Sequence, residues 1–412
     1  MHSLCRYCRA PLRVTFADLG MSPISNNYIS VDHQFDAENF YPLHAYVCEN
    51  CFLVQLHDYE RAEYLFTDDY AYFSSYSDSW LNHAAAYAKQ MIASESLDGG
   101  SLVVEIASND GYLLQYFKRA GVQVLGVEPT ANTAAAAFRD HGIVSEVAFF
   151  GRETALRLQA SGVCPDVIVA NNVLAHVPDL NDFVAGIHVL LKQDGVATIE
   201  FPHLLNLIKC NQFDTIYHEH FSYLSFTVVC KLFESHGMRV FDVEQLATHG
   251  GSLRVYVAQQ GCPSRPARET VAQQLEAETA AGLNDIEIYR AFSAAVVGVK
   301  CDLLAFLINC RMSGKRVAGY GAPAKGNTLL NYCGIGKDLL PFTVDRSPYK
   351  VGKLLPGTRI PIFHPSRIVE QKPDYVLILP WNLKDEIMEQ MAEVRQWGGQ
   401  FVTPIPSVEM HP

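Results

Sequence analysis

The chain has 412 residues, a formal net charge of −12 and a hydrophobic fraction of 49%. This length predicts two or three domains with sizeable cores. The negative charge and the lack of a basic block argue against nucleic acid or an anionic membrane as a partner. The sequence starts without the apolar run of a signal peptide, and we expect no apolar segment of about 18 residues that could cross a membrane. The prediction is a cytoplasmic protein.

The first motif in the chain is a pair of C-x2-C knuckles, formed by Cys5, Cys8, Cys48 and Cys51. Four thiolates in this pattern can close a tetrahedron around Zn²⁺, and such a closed site is structural because no coordination position stays open. Two disulfides or free thiols are the alternatives. We therefore expect a zinc-binding N-terminal domain over 1–85, which ends in a Tyr/Ser-rich segment and the start of a helix over 77–91.

The middle of the chain alternates apolar strands with helices. Predicted strands cover 102–106 and 195–202, a further strand ends at Glu128, and another begins at Asp166. This alternation predicts an α/β fold with a doubly wound sheet, which binds its ligand at the carboxyl ends of the strands.

The first turn of this sheet indicates the ligand. It reads E-I-A-S-N-D-G over 105–111, whereas a dinucleotide site would read G-x-G-x-x-G. An acidic residue in the strand and a turn of small residues suit a ligand that carries an amino acid and no phosphate, and Glu128 can accept both ribose hydroxyls. The pattern is similar to the class I S-adenosylmethionine (SAM) methyltransferase fold, where the turn usually reads E-x-G-x-G-x-G. Ala107 and Asn109 replace two of those glycines.

Five motifs together resemble one family. The four-cysteine motif, E-I-A-S-N-D-G, N-N-V-L-A-H-V, Y-H-E-H-F-S-Y and G-Y-G-A-P-A-K-G occur in the order found in sugar C-methyltransferases, which methylate carbon 3 of dTDP-linked 4-keto-deoxysugars. The resemblance covers nearly the whole chain. It implies SAM and a structural Zn²⁺ as cofactors, a nucleotide-sugar substrate, and a SAM domain over 86–261. The cofactor-binding residues would be Glu105, Ala107, Asn109, Asp110, Gly111, Glu128, Pro129 and Asn171.

The segment Y-H-E-H at 217–220 offers the groups that methylation at carbon needs. A positioned His can remove a proton beside a ketone, and Tyr or a second His can donate to the enolate oxygen. In an extended segment Tyr217 and Glu219 would share one face and His218 and His220 the other, whereas in a turn Tyr217 and His220 would converge. The periodicity leaves both open, and metal binding by the two histidines is a further alternative.

The family resemblance assigns roles to these residues. It implies that His220 is the base, that Tyr217 orients the sugar or its enolate, and that Glu219 is a supporting hydrogen-bond acceptor. His218 is expected to be structural. The remaining catalytic and substrate residues near this site would be His176, Tyr72, Tyr70 and Ser75.

A second Rossmann-like domain is expected over 262–412, and it begins with a linking helix. Its turn is G-x-G-x4-G, and Asp345 lies near the distance of a ribose-binding acid in NAD proteins. An NAD(P)-dependent oxidoreductase is therefore the alternative function from another enzyme class. Under the family reading this domain helps to bind the nucleotide sugar through Lys325, Asn327, Lys350 and Arg359.

Two further alternatives follow from the SAM turn. An O- or N-methyltransferase has the same fold, although a heteroatom acceptor would not need an enolate-forming site. A zinc-clasped scaffold with a decayed SAM site would explain Ala107 and Asn109. Since the three parts could form one cleft, we expect a monomer that acts on a small molecule.

Overall fold

The computed structural model describes residues 4–57 and 74–412, and three main β-sheets organise this part of the chain. Tyr70 and Tyr72 lie outside the described residues. The N-terminal strands are β1 (Val14–Ser22), β2 (Ile29–Ser30), β3 (Tyr41–Val47) and β4 (Val54–Leu56). An additional short strand, β10 (Ser222–Tyr223), pairs antiparallel with β4, so the first sheet has the order β1-β3-β4-β10. The end of the Y-H-E-H-F-S-Y segment is therefore part of the N-terminal sheet.

The second sheet carries the alternation predicted for the middle of the chain. Its strands are β5 (Leu102–Ile106), β6 (Gln123–Val127), β7 (Ser145–Glu146), β8 (Val167–Asn171), β9 (Val196–Pro202), β11 (Met238–Leu246) and β12 (Ser252–Gln259). The order is β11-β12-β9-β8-β5-β6-β7; the last five are parallel, and β12 and β11 add an antiparallel edge. The helices around this sheet are α1 (Asp78–Ser94), α2 (Leu114–Arg119), α3 (Ala131–His141), α4 (Arg152–Ala160), α5 (Leu180–Leu190), α6 (Leu204–Lys209), α7 (Phe226–Glu234) and α8 (Glu269–Ala280).

The third sheet confirms a second α/β unit. Its strands are β13 (Val317–Tyr320), β14 (Thr343–Val344), β16 (Ile362–Phe363), β17 (Tyr375–Ile378), β18 (Gln400–Thr403) and β19 (Glu409–His411), and β15 (Lys353–Leu354) pairs instead with β2 of the N-terminal domain. The order is β16-β14-β13-β17-β18-β19, parallel except for β19. The helices are α9 (Ile286–Met312), α10 (Ala324–Cys333), α11 (Ser366–Gln371) and α12 (Lys384–Gln390).

Of the two predicted domain limits, one falls inside a helix and the other in the connection between β12 and α8. The limit at 85/86 lies within α1, whose first turn is capped by the Ser77 hydroxyl accepting from the backbone N–H of Trp80. The limit at 261/262 precedes α8, which packs against β11 of the second sheet. The apolar core shared by the N-terminal sheet, α9 and the third sheet is continuous, because residues such as Phe16, Phe292 and Leu377 belong to one buried cluster.

Helix α9 corrects one expectation. Its 27 residues are long and apolar enough to cross a membrane by length and composition, although no such segment was predicted. Its buried residues, among them Tyr289, Phe292, Val296 and Leu303, recur every three or four positions. Phe16 of β1 stacks on Phe292 with ring centroids 4.5 Å apart. This stripe is what a helix packed in a protein core requires.

Candidate active site and metal centre

The four cysteines come together at the base of the N-terminal sheet. The Sγ atoms of Cys5 and Cys51 lie 3.6 Å apart, those of Cys8 and Cys48 lie 3.5 Å apart, and all four lie within 4.8 Å of one another. Tetrahedral Zn²⁺ with Zn–S bonds of about 2.3 Å needs sulfur atoms about 3.8 Å apart. The donors and their spacing therefore fit a structural zinc ion.

The first zinc knuckle also docks the N-terminal domain on the SAM domain. The Arg6 guanidinium donates to the carbonyl oxygens of Pro178 at 2.6 Å and Leu56 at 2.7 Å. The Asn181 amide donates to the carbonyl oxygens of Arg6 and Tyr7, both at 3.1 Å. The zinc site therefore fixes the position of one domain against the next.

The turn after β5 keeps the shape of a glycine turn. Ala107, Asn109 and Gly111 have φ of +55°, +50° and +78°, which is the left-handed region that favours glycine. The substitutions Ala107 and Asn109 therefore do not change the path of the chain. The turn is held by the backbone N–H of Asn109, which donates to Glu128 at 2.9 Å, and by Ser74 and Ser75. The Ser74 N–H donates to Asn109 Oδ1 at 2.9 Å, and the Ser75 N–H and hydroxyl both donate to Asp110 Oδ2.

Several buried oxygens around this turn face no hydrogen-bond donor of good geometry in 4–57 and 74–412. They are both carboxylate oxygens of Glu105, Oδ1 of Asp110 and Oδ1 of Asn171, at the carboxyl ends of β5 and β8. Burial raises the pKa of Glu105 well above its usual range. Unsatisfied buried acceptors are costly, and the ammonium group of SAM is a donor that would satisfy them.

Glu128, at the end of β6, is the predicted ribose acceptor. It is buried and accepts from the backbone N–H groups of Asn109 and Thr130, both at 2.9 Å, and from the Thr130 hydroxyl. A carboxylate has about four acceptor positions, so ribose hydroxyls can still bind. Pro129 follows at the same edge of the sheet and is partly exposed. The residues present thus fit SAM.

The Y-H-E-H segment forms a turn, which decides between the two arrangements left open by the sequence. The His220 N–H donates to the Tyr217 carbonyl at 2.8 Å, and the Tyr217 hydroxyl donates to His220 Nε2 at 2.7 Å. His220 Nδ1 donates to the Thr215 carbonyl at 2.8 Å. The proton of the imidazole is therefore on Nδ1, and Nε2 carries a lone pair.

His176 lies directly against this turn. Its ring centroid is 4.6 Å from that of His220, and its Nδ1 donates to the backbone carbonyl of Glu219 at 2.8 Å. Burial lowers the pKa of His176 to about 4 and that of His220 well below its usual value, with the neighbouring His176 adding to the shift. Both imidazoles are therefore neutral near pH 7 and present an Nε2 lone pair.

The side chains of Glu219 and His218 bind residues of the N-terminal domain. The Glu219 carboxylate does not support an imidazole; it accepts from the Asn26 amide at 2.8 Å, and burial raises its pKa to about 7. His218 is buried, and its Nε2 donates to the Pro42 carbonyl at 3.3 Å, as expected for a structural histidine. Within the part of the chain that the structure describes, the four cysteines are the one cluster suited to a metal.

The C-terminal domain places Lys325 beside the histidines. The Lys325 ammonium donates to Asn382 Oδ1 at 2.9 Å and lies 4.5 Å from the centre of the Trp381 ring. Burial lowers the pKa of Lys325, and its positive charge contributes to the lowered pKa values of His220 and His249. Trp381 in turn donates through Nε1 to Asp214 at 2.7 Å. Lys325 is thus a cation at the edge of the histidine cluster.

The other three predicted sugar-nucleotide ligands bind the protein itself. Asn327 donates to the Ser25 carbonyl at 2.6 Å, and Lys350 donates to the Ala322 carbonyl at 2.9 Å. Arg359 donates to the carbonyl oxygens of Gln34 and Asp36 and lies 3.6 Å from Glu38. Asn327 and Arg359 thus join the C-terminal domain to the N-terminal loop, whereas the hydrogen bond of Lys350 lies within the C-terminal domain. Contact of these residues with a diphosphate stays a prediction.

Sequence reasoning missed His249 and Asn172. The His249 ring lies in the same cluster, with Nε2 at 3.2 Å from the Asn172 amide nitrogen. The signal was the run T-H-G-G-S-L-R over 248–254, where two glycines follow a histidine in a loop between two strands.

Three family models match successive parts of the chain: "Putative zinc binding domain" over 5–66, "Methyltransferase domain" over 78–243, and "C-methyltransferase C-terminal domain" over 247–406. The chain is 36% identical to the C-methyltransferase NovU of Streptomyces niveus over 402 residues, which cover 98% of this chain and 95% of NovU. The protein is therefore a class I SAM-dependent methyltransferase with a zinc-binding domain. More particularly, it belongs to the C-methyltransferase family that includes NovU.

More distant relatives match only the SAM domain. A ubiquinone biosynthesis O-methyltransferase of Rhodopseudomonas palustris (strain BisA53) is 28% identical over 100 residues, which are 24% of this chain and 39% of that protein. A TehB-like SAM-dependent methyltransferase of Corynebacterium glutamicum is 18% identical, with a TM-score of 0.34, over 45% of this chain and 96% of that one. This degree of similarity bears on neither substrate nor reaction. The family replaces the oxidoreductase, the heteroatom methyltransferase and the scaffold as alternatives.

Proposed function

We propose that the enzyme methylates carbon 3 of a nucleotide-linked, dTDP-bound 4-keto-deoxysugar through an enolate, in deoxysugar biosynthesis. The observation that carries the proposal is the pair of neutral histidines, His176 and His220, whose rings lie 4.6 Å apart, with His220 Nε2 facing the Tyr217 hydroxyl. A carbon acceptor needs a base to become a nucleophile, whereas a hydroxyl or amine acceptor already has a lone pair.

The proposed proton transfer follows from the tautomer of His220. The Thr215 carbonyl holds the proton on Nδ1, so Nε2 can take the proton from carbon 3. The electron pair of the broken C–H bond then forms the enolate, and His220 becomes an imidazolium. SAM supplies the methyl group to carbon 3 and leaves as neutral S-adenosylhomocysteine.

The residues around His220 suit the charge that develops. The Tyr217 hydroxyl, which donates to Nε2, is placed to orient the sugar beside the base. Lys325 provides a positive charge near the developing oxyanion, which is the kind of electrostatic stabilisation that lowers such barriers most. We therefore propose that Lys325 contacts the sugar end of the substrate.

The cleft is built by elements of all three domains of one chain: Asn26 supports Glu219, the SAM domain supplies the histidines, and α10 supplies Lys325. This supports a monomer that acts on a small molecule, and we propose the cytoplasm as its location. The size of the protein in solution, measured by sedimentation, tests the monomer.

The test is exchange at carbon 3. The enzyme is incubated with a dTDP-4-keto-6-deoxysugar in D2O, with and without SAM, and carbon 3 is followed by NMR and product mass. We expect deuterium without SAM and one added methyl group with SAM. His220→Asn should reduce both by about 10³-fold, within the range for loss of a general base, while SAM affinity is unchanged.

His218→Asn is the matched control, because His218 faces the Pro42 carbonyl on the opposite side. Activity of this variant should stay within about twofold of the wild type, as for a polar residue away from the chemistry. SAM binding by the wild type without exchange or methyl transfer would contradict the proposed substrate.

A further inference from the structure

The loop that carries His249 is fixed by two glycines packed against other elements. A side chain at Gly250, where φ is +89°, would meet the Trp381 ring at 2.6 Å and the Gln212 amide at 2.8 Å. A side chain at Gly251, where φ is +111°, would overlap the Asn206 amide. The loop therefore has one backbone path, which joins β11 to β12 at the edge of the sheet where ligands bind.

The rest of T-H-G-G-S-L-R is fixed by one buried carboxylate. Glu200 accepts from the Thr248 hydroxyl at 2.9 Å through Oε1 and from Arg254 at 2.7 Å through Oε2, and His83 lies 2.9 Å from the same Oε2. Both Glu200 and Arg254 are almost fully buried. A buried ion pair of this kind fixes an arrangement of residues more than it adds net stability. Because Glu200 binds both Thr248 and Arg254, it fixes the segment between them, which contains His249.

His249 itself is held in a strained conformation. Its φ is +54°, which costs about 1–2 kcal/mol for a residue with a Cβ. Asn172, which lies opposite, also has a positive φ, of +56°. Strain of this size persists where the surroundings impose it, and it concentrates at functional sites.

The hydrogen bonds of His249 differ from those of the other two histidines. The Asn172 amide nitrogen faces His249 Nε2 at 3.2 Å, so Nε2 accepts and the proton is on Nδ1. Burial lowers the pKa of His249 to about 4, so the imidazole is neutral. No described residue accepts from Nδ1, whereas in His176 and His220 the Nδ1 proton is bonded to a backbone carbonyl.

We infer that His249 is a further catalytic residue, which donates a hydrogen bond from Nδ1 to the oxygen of the enolate while His220 acts as base. The inference rests on the proposed function. The ring lies 5.1 Å from that of Trp80 on α1 and close to Lys325 of the C-terminal domain, so it is near elements of both domains that the proposed reaction uses. A neutral donor and a nearby cation together stabilise the oxyanion.

Two variants that tolerate a positive φ test the inference without strain: His249→Gly removes the donor, and His249→Asn places an amide N–H near the position of Nδ1. For His249→Gly we expect exchange and methyl transfer to fall about 100-fold, as for loss of one oxyanion donor, with SAM affinity within about twofold. His249→Asn should recover activity to within about tenfold of the wild type. Its rate should still fall at low pH as in the wild type, because that acid limb of the pH–rate profile reports protonation of the base, His220.

Three results contradict the inference in different ways. Wild-type rates in His249→Gly would show that His249 takes no part in the reaction. Equal losses in both variants, or loss of the acid limb in His249→Asn, would overturn the role of donor. If the wild type itself neither exchanges nor methylates the keto sugar, the proposed function fails, and the inference fails with it.

Discussion

Two strand–turn–helix units in this molecule have the same local fold, but they differ in the groups that surround the turn. Around the turn after β5, the carboxylate of Glu105 and Oδ1 of Asp110 and Asn171 are buried acceptors that face no described donor of good geometry, and the ammonium group of SAM could donate to them. The turn after β13 is filled by the protein. Its Ala322 N–H donates to Asp345 at 2.7 Å, and its Ala322 carbonyl accepts from Tyr28 at 2.6 Å and from Lys350 at 2.9 Å.

The groups that a dinucleotide would need at the second turn are used by the protein itself. In NAD proteins an acid at the position of Asp345 binds ribose, and the helix start binds pyrophosphate. Here Asp345 caps the backbone of the turn, and Tyr28 and Ser25 of the N-terminal domain cover the start of α10. The same supersecondary unit therefore binds a cofactor in one domain and a neighbouring domain in the other.

The helix that follows the second turn, α10, also contacts the Y-H-E-H segment. The Thr328 hydroxyl of α10 donates to the Ile216 carbonyl at 3.0 Å, one residue before Tyr217. Lys325 of the same helix reaches the histidine cluster. The C-terminal domain thus places Thr328 and Lys325 next to the Y-H-E-H turn.

The largest effect expected from this comparison is on SAM affinity. Glu128→Ala removes the predicted ribose acceptor, and one hydrogen bond to a charged group contributes about 1.5–3 kcal/mol, so the Kd of SAM should rise by about 10- to 100-fold. Asp345→Ala should leave this Kd within about twofold and lower the melting temperature, because the N–H groups of Ala322 and Ser347 lose their acceptor. Calorimetric titration with SAM measures the first effect, and thermal unfolding measures the second.

NADH is the probe that tests whether the turn after β13 differs in function from the turn after β5. We expect it to leave the melting temperature of the wild type unchanged. A rise with NADH that disappears in Asp345→Ala would show that the second turn binds a dinucleotide after all.

A smaller effect concerns Glu219, which binds Asn26 in the loop that fills the second turn. Burial raises the Glu219 pKa from about 4.5 in the unfolded chain to about 7, so the protonated form contributes stability that is complete below pH 4.5 and is lost as the pH rises through 7. Glu219→Gln removes the charge and keeps an acceptor for Asn26. The variant should therefore be more stable than the wild type by about 2–3 kcal/mol at pH 8 and equal to it at pH 4.5.

Urea unfolding at the two pH values measures the difference between the variant and the wild type. Glu234→Gln, on the surface side of α7, is the control and should show no pH-dependent difference. An equal difference in unfolding free energy between Glu219→Gln and the wild type at both pH values would contradict this prediction. It would mean that the Glu219 carboxyl group is ionised in the folded protein and that its charge is compensated by its surroundings.

The sequence was most informative where structure is local. The β5 turn and the two zinc knuckles depend on residues within a few positions of one another, and both were predicted. The Tyr217–His220 contact was one of two open arrangements, because the turn depends on how the Thr215 carbonyl and β10 are placed. The family resemblance proposed the residues but not the tautomers.

The sequence was least informative where the contact partners are distant. His249 is placed by Glu200 and Asn172, 49 and 77 positions away, and no periodicity connects them. Lys350 and Arg359 form a basic loop that suggests a phosphate site, yet their donors are used by carbonyl oxygens of Ala322 and of the N-terminal domain. A charge pattern gives the chemistry of a surface and leaves open which partner uses it.

The smallest effect tests whether the SAM turn is a glycine turn in shape. Ala107 in the left-handed region costs about 1–2 kcal/mol, whereas a glycine there would lose about 0.5–1 kcal/mol of extra backbone entropy on folding. Ala107→Gly should therefore stabilise the protein by about 0.5–1 kcal/mol, measured by urea unfolding. Asn109→Gly is the matched control at the next left-handed position. It should destabilise by about 1 kcal/mol, because Asn tolerates this conformation and its Oδ1 accepts from the Ser74 N–H at 2.9 Å. If Ala107→Gly raises the free energy of unfolding and Asn109→Gly lowers it, Ala107 only occupies the turn, whereas Asn109 also binds the segment before α1 to the turn. Stabilisation by both glycines would contradict that second role.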